Sequence, residues 1–110
     1  MSTVKILGDL MPIVDEEVAR SIENYGNLKS EHEAYAVMLE EFEEADCEFN
    51  CLEQALNNFW ISVKTDTNFF EELPTITEKS LKAAAELIQV AAMAEKFMRQ
   101  GGRASATSGV

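Results

Sequence analysis

A block of carboxylates, Glu40-Glu41-Phe42-Glu43-Glu44, lies inside a long helical pattern of the sequence. Acids three residues apart share one face of a helix, so Glu41 and Glu44 can act together. Their oxygens suit a hard divalent cation such as Mg²⁺, which could in turn bind a phosphate. The same acids could instead form a solvated face or flank a helix pairing surface. Spacing alone leaves these interpretations open.

A second polar pair, Glu86 and Gln89, interrupts the apolar run from Ala84 to Ala91 at the same spacing. Polar groups are costly to bury without partners. One metal bridging two helices would explain both pairs, and it predicts Glu41, Glu44, Glu86 and Gln89 as ligands. In the alternative interpretation, Glu86 and Gln89 face solvent on a helix whose other side is buried.

The composition limits the classes of function. The 110 residues carry a net charge of -11, from 20 acids against 9 basic residues. This charge argues against direct nucleic-acid binding, which needs a basic surface, but allows metal binding or a basic protein partner. Cys47 and Cys51, four residues apart on a helix, suit a disulfide poorly, and no signal peptide or membrane span is expected. We therefore predict reduced thiols and a cytoplasmic protein.

Hydrophobic spacing predicts an all-α fold of about three helices with one long central helix. We expect one helical domain over residues 1–100 and a disordered tail over 101–110. Capping-box pairs, Ser30 with Glu33 and Thr75 with Glu78, mark two helix starts. The predicted helices run from about Pro12 to Tyr25, from about Glu31 to Lys64, and from Thr75 or Thr77 to Gly101-Gly102, with a turn region over Thr65 to Pro74.

The central helix carries one apolar stripe over four heptads without Gly or Pro. Two shorter helices cannot cover a stripe of this length, so the bundle should be completed by a homodimer or higher oligomer. The stripe consists of Tyr35, Met38, Phe42, Ala45, Phe49, Leu52, Leu56, Phe59 and Val63.

The two acidic motifs, in order, resemble those of a known family. Glu40-Glu41-Phe42-Glu43-Glu44 has the EExxE form of the MazG-like all-α nucleoside triphosphate pyrophosphohydrolases, and Glu86-Leu87-Ile88-Gln89 resembles their ExxD motif. The phrase from Glu86 to Ala94 is also similar to small MazG-like proteins of phages and prophages of Gram-positive bacteria. The resemblance covers roughly Ser30 to Arg99.

The resemblance implies a bundle that dimerises or forms higher oligomers and that binds Mg²⁺ or Mn²⁺. Glu41 and Glu44 would hold the metal, with Glu40 and Glu86 as neighbouring ligands and with Glu40 and Glu41 as the catalytic residues. The implied reaction splits a nucleoside triphosphate into a monophosphate and pyrophosphate. Gln89 departs from the family's aspartate, because an amide coordinates only through a neutral oxygen and cannot act as a base.

A different class of function fits the charge, the small size and Gln89. In this second hypothesis, the chain is a non-catalytic phage protein that either inhibits a host protein by occupying a basic surface of that protein or sequesters a signalling nucleotide.

Overall fold

The computed structural model describes residues 2–102, which form three α-helices and one short 3₁₀ helix, with no strand among them. Helix α1 spans Thr3–Tyr25, α2 spans Glu31–Lys64 and α3 spans Leu73–Arg99, while the 3₁₀ helix covers Phe69–Glu72. This confirms the all-α prediction with a long central helix. Most of the predicted tail, from residue 103 on, lies outside the described residues.

Helix α1 begins nine residues earlier than predicted. The Ser2 side chain caps it by accepting a hydrogen bond from the Lys5 amide at 3.2 Å, so Pro12 lies inside the helix and not at its start. An internal proline removes one backbone donor, and its ring crowds the carbonyl four residues earlier, which here belongs to Gly8. Gly26 ends the helix as predicted, with a φ of 71° and its amide bonded to the Ile22 carbonyl at 2.8 Å.

Helix α2 has the predicted bounds. Ser30 Oγ accepts from the Glu33 amide at 3.1 Å, as a capping box requires. The Glu33 carboxylate, however, accepts from the Lys29 amide at 2.9 Å, whereas a capping box would use the Ser30 amide as the donor.

Helix α3 begins at Leu73, two residues before the predicted start at Thr75. The Asn68 side chain accepts from the Phe70 amide at 3.1 Å and starts the 3₁₀ helix, which leads directly into α3. Pro74 then falls in the first helical turn, where the missing amide costs nothing. The glycine pair at the other end has positive φ, and the Gly102 amide bonds to the Phe97 carbonyl at 2.8 Å.

The contacts divide the chain into two compact units, the first containing the residues up to Glu41 and from Ile88 on, the second running from Phe42 to Leu87. The first unit has a core of Val14, Val18, Ala92 and Met93, with Val37, Met38 and Ile88 packed against it. The prediction of one domain over residues 1–100 stays a prediction.

Two polar contacts join separate segments of the first unit. The Gln100 carboxamide accepts from the Leu28 amide at 3.0 Å and donates to the Leu28 carbonyl at 2.9 Å. Leu28 is only 4% exposed, so Gln100 holds a buried segment between α1 and α2. Arg99 bonds to Asp15 at 2.5 Å and to Glu95 at 3.1 Å, and both carboxylates raise the pKa of its guanidinium.

The buried side chains of the second unit are small. Ala45, Ala55 and Ala83 are each at most 3% exposed, and small buried side chains allow helices to approach closely. Near the turn, the Phe59 ring meets the Phe69 ring edge-on, with centroids 5.9 Å apart.

Much of the predicted stripe on α2 is exposed in the single chain. Tyr35 is 64% exposed, Phe42 52% and Phe49 43%, whereas Ala45 is fully buried. The stripe therefore leaves apolar surface without a cover from this chain. No described helix is both long enough and apolar enough to cross a membrane.

Candidate functional site

Carboxylates from two helices meet in the second unit. An oxygen of Glu44 on α2 lies within 4.8 Å of an oxygen of Glu86 on α3. Glu44 also has a neighbour on its own helix, because an oxygen of Glu41, one turn earlier on α2, lies within the same distance. Spacing predicts Glu44 and Glu86 as ligands of one metal, and within the second unit their carboxylates are neighbours.

The local sequence explains why these side chains lie beside buried surface. Glu86 is three residues after the buried Ala83, and Glu44 directly precedes the buried Ala45. Side chains three residues apart on a helix share a face, so Glu86 lies next to the surface that α3 buries. Glu86 is half-buried and Glu44 exposed, so the pair remains accessible to solvent and to an ion.

The donor chemistry fits a hard divalent cation. Mg²⁺ and Mn²⁺ prefer oxygen ligands, and Mg²⁺ is commonly bound through one or two carboxylates with its remaining positions filled by water and substrate. The described residues around Glu44 and Glu86 add no histidine or cysteine to the group, so a site for a softer metal is not formed there.

Glu48, one turn after Glu44, has a different partner. Its Oε2 atom lies 3.4 Å from the Lys79 ammonium, and both side chains are about one-fifth exposed. That oxygen is buried and makes no hydrogen bond, so the contact is an ion pair without hydrogen-bond geometry. Glu48 is therefore neutralised by Lys79 and does not join the carboxylate group.

Gln89 and Glu40 both line a pocket of the first unit. The Gln89 amide nitrogen donates to Glu17 on α1 at 2.5 Å, and Glu17 also pairs with Arg20. Glu40 is exposed, and with Glu41 it lines a pocket of the first unit. The amide nitrogen of Gln89 is bonded to Glu17, and its predicted role as a ligand through the amide oxygen stays a prediction.

The pocket of the first unit has a volume of about 610 Å³ and is lined by residues of α1, the α1–α2 connection, α2 and α3. This volume is within the range typical of small-molecule sites. Its wall includes the cations Arg20, Lys29 and Lys96 and the acids Glu17, Glu33, Glu40 and Glu41. Charges of both signs therefore face one space.

Lys96 is the residue that the sequence reasoning missed. It is 3% exposed, and its ammonium donates to Ser21 Oγ at 2.7 Å. Burial lowers the pKa of Lys96, with the nearby Glu33 acting in the opposite direction. A signal was present in the sequence, since Lys96 follows the core residues Ala92 and Met93 at a spacing of four and three and so shares their buried face.

Comparisons with protein families, with characterised proteins and with solved structures give no significant match. The MazG-like resemblance therefore stays a prediction based on the two motifs.

Proposed function

We propose that the chain is a metal-dependent nucleotide pyrophosphohydrolase of MazG-like type, or a nucleotide-binding derivative of one. The observation that carries the proposal is the proximity of the Glu44 and Glu86 carboxylates, which come from positions 42 residues apart in the sequence and lie within 4.8 Å. Glu41, one turn before Glu44, gives a third carboxylate on the same helix.

Glu44 and Glu86 would hold Mg²⁺ or Mn²⁺, and the MazG-like resemblance implies Glu41 as a further ligand. When bound there, the ion would neutralise phosphate charge and lower the pKa of a water molecule. Gln89, held by Glu17, is not needed for this ligand set and would serve at most through its neutral oxygen.

The protein's own contribution to the reaction is a carboxylate that can accept a proton. Glu40 and Glu41 line the pocket of the first unit, and Glu40, which is not in the ligand set, can act as general base on a water molecule bound there. The water oxygen bonds to phosphorus, its proton passes to the carboxylate, and the bond to the oxygen bridging the α- and β-phosphates breaks. The products are a nucleoside monophosphate and pyrophosphate.

Metal binding is the first measurement, because hydrolysis requires it. Isothermal titration of Mn²⁺ and Mg²⁺ into the full chain should show saturable binding that E86Q weakens by about tenfold or more, the size of one lost charged contact. The matched control is E78Q, which removes the same charge from an exposed position on α3. Equal binding in wild type, E86Q and E78Q would refute the proposed centre.

Hydrolysis is tested separately by pyrophosphate release from a panel of nucleoside triphosphates with the metal present. Release lost in E41Q and retained in E43Q, an exposed neighbour on α2, would support the enzyme. Metal binding without release from any nucleotide would support the nucleotide-binding derivative and contradict the enzyme.

We also propose that the exposed stripe on α2 is covered by a second copy of the chain. Exposed aromatic side chains such as Phe42 and Phe49 favour association through this helix. Sedimentation equilibrium should give a dimer or higher oligomer for wild type and a smaller species for F49E. A monomeric wild type would contradict this.

The second candidate function is supported by charge alone. With a net charge of -11, the chain could occupy a basic surface of a host protein. It becomes the better explanation if no metal binds and if a partner captured at low salt is released as salt increases.

A further inference from the structure

We propose that the pocket of the first unit binds a phosphate group directly on Lys96, without a metal. This goes beyond the proposed function, because it requires neither the Glu44–Glu86 pair nor hydrolysis. The pocket, the buried cation and the surrounding donors all belong to the first unit.

The first argument is that Lys96 is a buried cation without a counter-ion. It is the one charged residue in the described part of the chain that is buried, and no described carboxylate forms an ion pair with it. A buried charge is stabilised only when it is paired and hydrogen-bonded. An anion in the adjoining pocket would provide that pairing.

The Lys96 ammonium also has hydrogen-bond donors left for a ligand. A lysine ammonium has three N–H donors. One goes to Ser21 Oγ at 2.7 Å, and Ser21 is its one hydrogen-bond partner among the described residues. The Ser21 hydroxyl proton is directed only to the Met93 sulfur at 3.9 Å, a weak acceptor, so it too can turn to a ligand.

Two acids of the pocket wall, Glu33 and Glu17, are engaged with other partners. Glu33 accepts from the Lys29 amide at 2.9 Å, and Glu17 accepts from Gln89 and pairs with Arg20. Neither carboxylate forms an ion pair with Lys96. The Lys29 side chain, which also lines the pocket, lacks an ion pair among the described residues and adds a second cation.

The number of donors favours phosphate over a carboxylate. Besides Lys96, Lys29 and Ser21, the wall of the pocket includes Asn24 and Asn27, whose side-chain amides are hydrogen-bond donors. A phosphate group has three or four oxygens to accept from such a set, whereas a carboxylate has two. A pocket of about 610 Å³ is larger than one phosphate, so the natural ligand would be a small organic molecule that carries the group.

The test uses inorganic phosphate as the probe and the full chain with EDTA present. Calorimetric titration should show saturable binding to wild type and binding weakened about tenfold or more in K96M, as expected for loss of a charge-assisted hydrogen bond. The control K82M removes an exposed lysine of α3 that lies outside the pocket, and its affinity should stay within about twofold of wild type.

Several results would overturn the proposal: no saturable binding to wild type, equal binding to wild type and K96M, or acetate binding as tightly as phosphate. Circular dichroism checks that K96M is folded. If it is not, S21A provides the test, since it removes a donor at the same place, and phosphate affinity unchanged in S21A would then contradict the site. Because EDTA is present throughout, failure of the metal centre leaves this result unaffected.

Discussion

Gln100 clamps a buried segment of the first unit, and its replacement by Met measures what that clamp contributes. The carboxamide makes hydrogen bonds of 3.0 Å and 2.9 Å to the amide and carbonyl of Leu28, which is 4% exposed. Methionine is similar in length and volume but lacks both the donor and the acceptor. Q100M therefore removes both hydrogen bonds while leaving most of the packing.

The magnitude follows from these two bonds. Each contributes about 0.5–1.5 kcal/mol net, and a buried polar group left unsatisfied costs about 1–3 kcal/mol. Since both bonds involve one residue near the surface, partial access of water should limit the total, and we expect the free energy of unfolding to fall by about 2 kcal/mol. For a chain of this size, Tm should then fall by roughly 10 °C.

Thermal and urea unfolding followed by circular dichroism measure this change. The matched control is Q54M, because Gln54 is exposed and, among residues 2–102, its side chain donates only to Asn58, four residues further along the same helix. We expect Q54M to change stability by at most about 0.5 kcal/mol. If Q100M and Q54M are equally stable, the Leu28 groups are satisfied by water and Gln100 is not a clamp.

Three further predictions concern Lys96, two glycines and the core. Burial lowers the pKa of Lys96 below its ordinary value of 10.5. The charged side chain therefore destabilises the folded state at pH values below its folded pKa, and this cost disappears as the pH rises to 10.5. We expect K96M to have a higher Tm than wild type at neutral pH, with a difference that shrinks toward about pH 10. Gly26 has a φ of 71° and a ψ of -165°, with open space at the missing Cβ, so G26A should lower the free energy of unfolding in urea by about 1–3 kcal/mol. Gly8 also has open space at its missing Cβ but lies inside α1, so G8A should raise the free energy of unfolding by about 0.5–1 kcal/mol. M93A should lose about 2–5 kcal/mol because Met93 is 6% exposed in the core, while M98A, at a 63% exposed position, should change stability little. An unchanged Tm difference across pH, equal effects of the two glycine variants, or equal effects of the two methionine variants would contradict the corresponding reasoning.

The helical pattern was sufficient to predict α2 to the residue, because the alternation of three and four is unbroken and Ser30 and Lys64 bound it. The predicted starts of α1 and α3 are wrong for the same reason, because a residue that often marks a helix start lies inside each helix. Pro12 and Thr75 both fit a first turn, but the caps that operate are Ser2 for α1 and Asn68 for the 3₁₀ helix that leads into α3. Local signals of equal strength compete, and the sequence does not rank them.

The candidate site was predictable only in part. The proximity of Glu44 and Glu86 follows from their matching positions on two helices, which are visible in the sequence, and metal binding there stays a prediction. Lys96 and its partner Ser21 are 75 residues apart, and Gln89 and Glu17 are 72 apart, so neither contact follows from periodicity. The contact between Gln89 and Glu17 on α1 is revealed only by the folded chain.

Pro12 also affects how helix α1 opens. Because Pro12 has no amide hydrogen, the Gly8 carbonyl lacks its usual helical partner. The residues before this point, such as Val4 and Leu7, are largely exposed, and the core begins at Val14. The first turns can therefore fray without disturbing the core. Amide hydrogens from about Ile6 to Met11 should exchange with solvent through this local opening, orders of magnitude faster than those around Val18, which exchange only when the core itself opens.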